Sequence, residues 1–209
     1  MSITLYGTPV STYVRTVRLL LAEANLEYDL QDIGIFNGDN TTDEYLAKHP
    51  FGKVPTLAVD GVQIYETVAI TYYINQKLAN AKFAPADILS QTRMLQIEAI
   101  IDSYLYPLAV GTIVIQNLIV PSQGGETDRE AVQKATAPVQ KALQAIEDLY
   151  IGSPFLVGSL ISIADFYLIP IFTYLEQTPE FNEVTVDIPQ LKTWWHEVKM
   201  LKSVQEICF

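Results

Sequence analysis

The sequence predicts an α/β domain built on a mixed four-stranded sheet, residues 1–78, joined by a linker, 79–89, to an all-helical bundle, 90–209. Two observations carry this reading. Up to residue 78, short β-favouring runs alternate with helical periodicity in the order β-α-β-(α)-β-β-α. Beyond residue 89 the apolar residues recur at helical spacing only.

Ile3–Tyr6 alternates as a strand, and Gly7-Thr8-Pro9 breaks it. From Ser11 to Ala24, Val14, Val17, Leu20, Leu21 and Ala24 fall on one helical face. Leu26–Leu30 reads as a second strand, and Gly34–Asp43 as a polar loop leading into a short helical piece. Thr56–Val59 and Val62–Tyr65 flank Asp60-Gly61, a hairpin turn. Glu66–Leu78 is a helix with Ile70, Tyr73 and Ile74 on one face. This order fits a thioredoxin-like domain.

In the second half, Ser90–Val120 reads as one long helix, bent at Pro107 or Gly111. Its apolar stretch Leu105–Val120 is shorter than the roughly 20 residues of a membrane span, and it reads as a buried core helix. Glu126–Tyr150 is a helix with a kink expected at Pro138, and Pro189–Met200 and Leu201–Ile207 are the last helices. Ser162 and Asp165, three residues apart, form a capping box.

A net charge of -11 argues against nucleic acid as a partner, and there is no basic cluster to dock on an anionic membrane. The single cysteine, Cys208, excludes an intrachain disulfide and a multi-cysteine metal site. His49 and His196 suggest no metal pair. The N-terminal residues lack a basic segment followed by a long apolar run, so a cytoplasmic protein is expected.

The informative stretch is His49-Pro50-Phe51-Gly52-Lys53-Val54-Pro55, closed downstream by Glu66-Thr67-Val68-Ala69-Ile70. If the Val54-Pro55 bond is cis, the backbone N–H and C=O of Val54 face outward and can pair with an extended peptide. These motifs, with the Ser162–Asp165 box, resemble those of soluble glutathione transferases, closest to the serine-using phi and theta-like branches. The family form has Asn where this chain has His49, Ser where it has Thr67 and Arg where it has Val68.

The resemblance implies a homodimeric enzyme that activates the glutathione thiol and adds it to hydrophobic electrophiles, or reduces a hydroperoxide. Glutathione is then a co-substrate, with no metal or other cofactor. Ser11, at the start of the first helix, matches the family's serine and would donate to the thiolate. Thr12 and Tyr13 are alternatives, and Ser11 can also be a plain helix cap. Tyr6 lies one residue from the position of the tyrosine-using classes, which falls on Gly7.

Val54, Glu66, Thr67 and Lys53 are the glutathione-binding candidates: Thr67 and a helix start for a carboxylate, Glu66 for the ammonium, Lys53 as a carboxylate partner. The basic residue that the phi pattern places near Asn40-Thr41 is missing, so Asn40 or Lys48 would hold the glycine end. An apolar electrophile pocket between the domains would draw on Pro9, Phe36, Tyr104, Leu108, Thr112 and Ile115. A non-catalytic carrier of glutathione or apolar ligands on the same fold is the competing function.

Overall fold

β1 (Ile3–Tyr6) pairs in parallel with β2 (Asp29–Gln31) and antiparallel with β3 (Thr56–Val59), which in turn pairs antiparallel with β4 (Val62–Tyr65). The sheet order is β2-β1-β3-β4. The structure, a computed structural model, describes all residues from Met1 to Phe209. They fall into two units, Met1–Phe83 with Lys202–Phe209, and Ala84–Leu201.

In the first unit, Ile3 and Leu5 of β1 and Leu57 and Val59 of β3 turn one sheet face into the core. Helix α1 (Thr12–Glu23) presents Val14, Val17, Leu20 and Leu21 to the same core, all fully buried. Each such side chain contributes about 1.5–3 kcal/mol by leaving water. Ile70 and Ile74, from α3 (Thr67–Tyr73) and the wider turn Ile74–Leu78 that continues it, complete the layer. The other sheet face is covered by the short helix α2 (Asp43–Leu46), which begins on the Thr42 side-chain cap and buries Tyr45.

Among the boundaries that differ from the sequence expectation, two concern the first unit. The second strand begins three residues later than Leu26, because Leu26 is still tied to the end of α1 through its N–H to the Leu21 carbonyl. The last helix, Lys202–Cys208, belongs with the first unit rather than the helical one. It packs on α1, buries Val204 and Cys208, and the Ser203 hydroxyl donates to Glu23.

The second unit is all helix. Its centrepiece runs from Ile88 to Ser122. Pro107 neither ends nor interrupts it. Instead the hydrogen-bond ladder widens to i→i+5 on both sides, over Ile101–Leu105 and Ala109–Ile119. A proline offers no N–H and crowds the preceding turn; a wider turn accommodates both effects. Leu105–Val120 is not a wholly buried core helix. Leu105, Ala109, Val110, Ile113 and Val114 are buried against neighbouring helices, but only 28% of the most apolar window is, although the helix is long and apolar enough to cross a bilayer.

Helix Arg129–Glu147 starts on the Asp128 side chain and continues across Pro138 as one segment. Helix Ile163–Leu175 opens with the expected capping box. Asp165 is completely buried and accepts from the Ser162 N–H at 2.8 Å, the Ser162 hydroxyl at 2.6 Å, the Leu156 N–H at 3.0 Å and Trp194 Nε1 at 2.7 Å. One carboxylate thus joins a helix start, the preceding loop and helix Pro189–Val198. Glu147 works the same way, accepting from the Gln190 and Leu191 N–H groups at the start of that helix. A buried charge is tolerable only with such a set of donors.

Glu98 has no such set. It is buried on the long helix and its Oε1 has no partner. Burial, aided by the Asp102 charge one turn on, pushes its pKa up to about 8 from an ordinary 4.5. The folded state therefore holds the proton more tightly than the unfolded one. Glu98 costs nothing on this account below about pH 4.5, and stability is lost as pH rises through about 8. Glu98→Gln should flatten this decline and raise stability above pH 8 by on the order of 3–5 kcal/mol. Urea unfolding at pH 5 and pH 8.5 checks it; an equal effect at both values would contradict it.

Candidate active site

The ladder register places the site. Thr56 pairs with Tyr65, so the residues just outside the hairpin, Val54-Pro55 on one strand and Glu66-Thr67 on the other, are neighbours. The Val54-Pro55 bond is cis. Val54 lies beyond the ladder, and neither its N–H nor its C=O has a hydrogen-bond partner in the protein. Glu66 has φ 71° and ψ 121°, a conformation that non-glycine residues rarely adopt. Such strain costs on the order of 1–3 kcal/mol and persists where the surroundings impose it. Here it turns the chain from β4 directly into α3, leaving Glu66 exposed and Thr67 as the first helical residue.

The loop after β1 brings in Ser11. Gly7 stands directly against Val54: a Cβ built on Gly7 would lie 3.3 Å from Val54 Cβ and 2.4 Å from Val14 Cγ2. The Gly7 N–H donates to the Gln31 carbonyl and the Ser11 N–H to the Thr8 carbonyl. Arg15 Nε reaches back to the Pro9 carbonyl at 3.3 Å. Ser11 occupies the N-cap position of α1 in an extended conformation, yet its hydroxyl caps nothing. A cap-type residue whose oxygen is not spent on the helix leaves that hydroxyl available to a ligand at the positive helix end.

The other candidates are distributed as follows. Val54, Glu66 and Thr67 are brought together. Lys53 is exposed next to Val54 and makes no ion pair. Asn40 Nδ2 donates one of its two hydrogens to the Gly52 carbonyl at 2.8 Å, which tethers the turn before Lys53. Lys48 lies over the Tyr6 ring at 5.4 Å, with Glu44 at 3.9 Å. Tyr6 itself lines a polar cleft of about 290 Å³ with Asp32, Asp39 and Tyr45, as expected for a side chain on the sheet face away from the core.

His49 is buried, with its ring 5.0 Å from that of Tyr65. Its Nδ1 accepts from the Phe51 N–H at 3.3 Å. Burial holds its pKa below the usual value, which keeps Nδ1 an acceptor. An asparagine carbonyl oxygen could take the same bond, so the substitution preserves the turn.

Of the pocket candidates, Pro9 is half-buried in the Ser11 loop and Phe36 is exposed in the loop after β2. Tyr104, Leu108, Thr112 and Ile115, spaced by four, four and three, form one stripe on the long helix that is not buried in its own unit. Two residues the sequence reading passed over matter: Gly7, whose closeness to Val54 is invisible in one dimension, and Tyr45, which reads as an ordinary apolar helix position. No group of three or more metal-ligating side chains comes together anywhere.

Residues 5–82 match the model of the glutathione S-transferase N-terminal domain, and residues 102–200 that of the C-terminal domain. The chain is 27% identical to glutathione S-transferase 1 of Zea mays over 203 residues, 97% of this chain and 94% of that one. Glutathione transferase F7 from Populus trichocarpa superposes with a TM-score of 0.86 at 27% identity, covering 98% and 97% of the two chains. Glutathione S-transferase I from mais, in complex with an atrazine glutathione conjugate, gives 0.85 at 25% identity, covering 100% and 97%.

Gly7→Ala tests the packing that joins the Ser11 loop to Val54. The added methyl meets Val14 Cγ2 at 2.4 Å in a backbone conformation of φ +155°. Overpacking of this kind should cost about 1–3 kcal/mol. Denaturant unfolding should show that loss, and unchanged stability would mean that the loop is not fixed by this contact.

Proposed function

The chain belongs to the glutathione S-transferase family, and from that premise we propose that it conjugates glutathione to hydrophobic electrophiles. The observation that carries this reading is the unpaired backbone of Val54 next to Glu66 and Thr67, facing the loop of Ser11. An extended γ-glutamyl peptide pairs with Val54 as a short additional strand. Its α-carboxylate meets Thr67 and the N–H groups at the start of α3, its ammonium meets Glu66, and Lys53 attracts a carboxylate. Ser11 donates its hydroxyl to the sulfur, and the N-terminus of α1 favours the negative charge. The thiol proton leaves to solvent; the thiolate then forms the carbon–sulfur bond as the leaving group departs.

Tyr104, which is exposed, and Leu108, Thr112 and Ile115, which are half-buried, offer the apolar wall for the electrophile. Pro9 and Phe36 belong to the same proposal, as does a detoxifying role in the cytoplasm. Glutathione is the co-substrate, with no cofactor. A second reading, a carrier that binds glutathione without turnover, is favoured by one feature: the sequence has no basic residue at Asn40-Thr41 for the glycine carboxylate.

Ser11→Ala separates these readings. Losing one charge-assisted donor, worth roughly 1.5–3 kcal/mol, should raise the pKa of the bound thiol by about one to two units. Turnover with an aryl halide at neutral pH should fall about tenfold or more, while glutathione affinity changes much less. Binding without turnover in the wild-type protein would favour the carrier; a variant with unchanged thiolate titration and activity would remove Ser11 from the chemistry.

We also propose a two-fold homodimer. The first unit exposes Phe51, 69% accessible, and Tyr72, 65%, together with Val62, Tyr65 and Val68. Val68 and Tyr72 are one turn apart on α3, and Phe51 and Tyr65 lie ring to ring at 6.4 Å. Apolar surface of this extent marks interaction sites. Sedimentation should give a dimer at micromolar concentration, and the double variant Val68→Asp, Tyr72→Asp should give a monomer; a monomeric wild type would overturn the proposal.

A further inference from the structure

The turn that presents Val54 is not held by sheet hydrogen bonds, since the ladder stops at Thr56. It is held by side chains from outside the hairpin. Tyr45, on α2, is 2% exposed. Its hydroxyl is 2.7 Å from the Lys53 carbonyl and 3.2 Å from Thr56 Oγ1. The hydroxyl has one proton, and the carbonyl can only accept, so Tyr45 donates to Lys53 and Thr56 donates to Tyr45. The two partners immediately precede and follow the Val54-Pro55 dipeptide. One buried phenol therefore grips both ends of the segment whose backbone is left open. Asn40 adds a second tether one residue earlier, through Nδ2 to the Gly52 carbonyl at 2.8 Å. Gly52 lies at φ +59°, and a Cβ there would come within 2.8 Å of the Asn40 carbonyl oxygen.

We propose that Tyr45 is a positioning residue for glutathione: through the Lys53 carbonyl and Thr56 it fixes the direction of the Val54 N–H and C=O that pair with the peptide. The inference rests on the binding mode proposed above and adds a residue that touches no substrate. Burial also pushes the phenol's pKa above its usual value, so the donor is retained at neutral and mildly alkaline pH. The effect is on binding, because the sulfur is served by Ser11 on a different element. Ordering the binding edge in advance spares the ligand that cost when it docks.

Tyr45→Phe removes the hydroxyl and keeps the ring that fills the space beneath α2. Its KM and calorimetric dissociation constant for glutathione should rise about five- to tenfold, the range of one lost neutral hydrogen bond. Turnover at saturating glutathione and the pKa of the bound thiol should stay within about twofold of wild type. Thr56→Val, which leaves the bond from Tyr45 to Lys53 in place, should weaken binding less. A purely structural loss would lower the active fraction without moving KM. Unchanged glutathione affinity in Tyr45→Phe, or a fall confined to turnover, overturns the proposal. If Tyr45→Phe does not fold, Thr56→Val decides: no change in affinity overturns the proposal. If the wild-type protein does not bind glutathione, the reading of the site fails. Tyr45 is then judged in the free protein by the amide chemical shifts of Gly52, Lys53 and Val54: shifts centred there in Tyr45→Phe uphold it, and unmoved shifts overturn it.

Discussion

The antiparallel register of β3 with β4 is the constraint on which the site depends. Pairing Thr56 with Tyr65 forces the residues just outside the hairpin to face each other, so a peptide edge at Val54 and a helix start at Thr67 come from chain segments ten or more residues apart. A slip of one residue would exchange the faces of β3 and put Leu57 in place of Thr56 beside Tyr45. The alternation of Leu57 and Val59 into the core prevents that slip, because both are buried and neither can be replaced by its polar or small neighbour without loss of apolar burial.

The site borrows its order from the layers on either side of the sheet. On the core face, Gly7 lets the Ser11 loop approach Val54. On the opposite face, Tyr45 and Asn40 hold the carbonyls of Lys53 and Gly52. Both devices act on backbone, which explains why a short open edge survives in the absence of ladder partners. Strain at Glu66 is of the same kind: a local cost accepted where β4, α3 and the turn fix the chain together.

The helical unit uses buried carboxylates as joints. Asp165 and Glu147 each satisfy the start of a helix and bind it to a second element, and each accepts from several donors. Complete burial pushes the Asp165 pKa up, while Ser162, Leu156 and Trp194 pull it down. Glu98, on the long helix, has burial without donors and bears the cost in full. The contrast shows that burial alone does not decide whether a carboxylate supports a fold; the count of donors does.

The sequence by itself determined the element types and most of their order. Alternation in β1 and β3, the stripe on α1, Asp60-Gly61 and the Ser162–Asp165 box are local patterns, and each is present where the residues place it. The motif from His49 to Pro55 also located the candidate site, since the types that build an open backbone edge are contiguous in the chain. What only the tertiary structure decided depends on distance through space. Asn40 became a tether because Gly52 lies within reach of its amide, and Tyr45 acquired a polar partner on each side of Val54. The last helix joined α1 rather than its sequence neighbours, since Val204 and Cys208 find their apolar cover there. Pro107 widened a helix that local propensity would bend, because neighbouring helices bury Leu105, Ala109 and Ile113 on either side of it. Propensity and periodicity are properties of neighbours in sequence, whereas a hydrogen-bond partner or a packing surface is supplied by residues that meet only on folding.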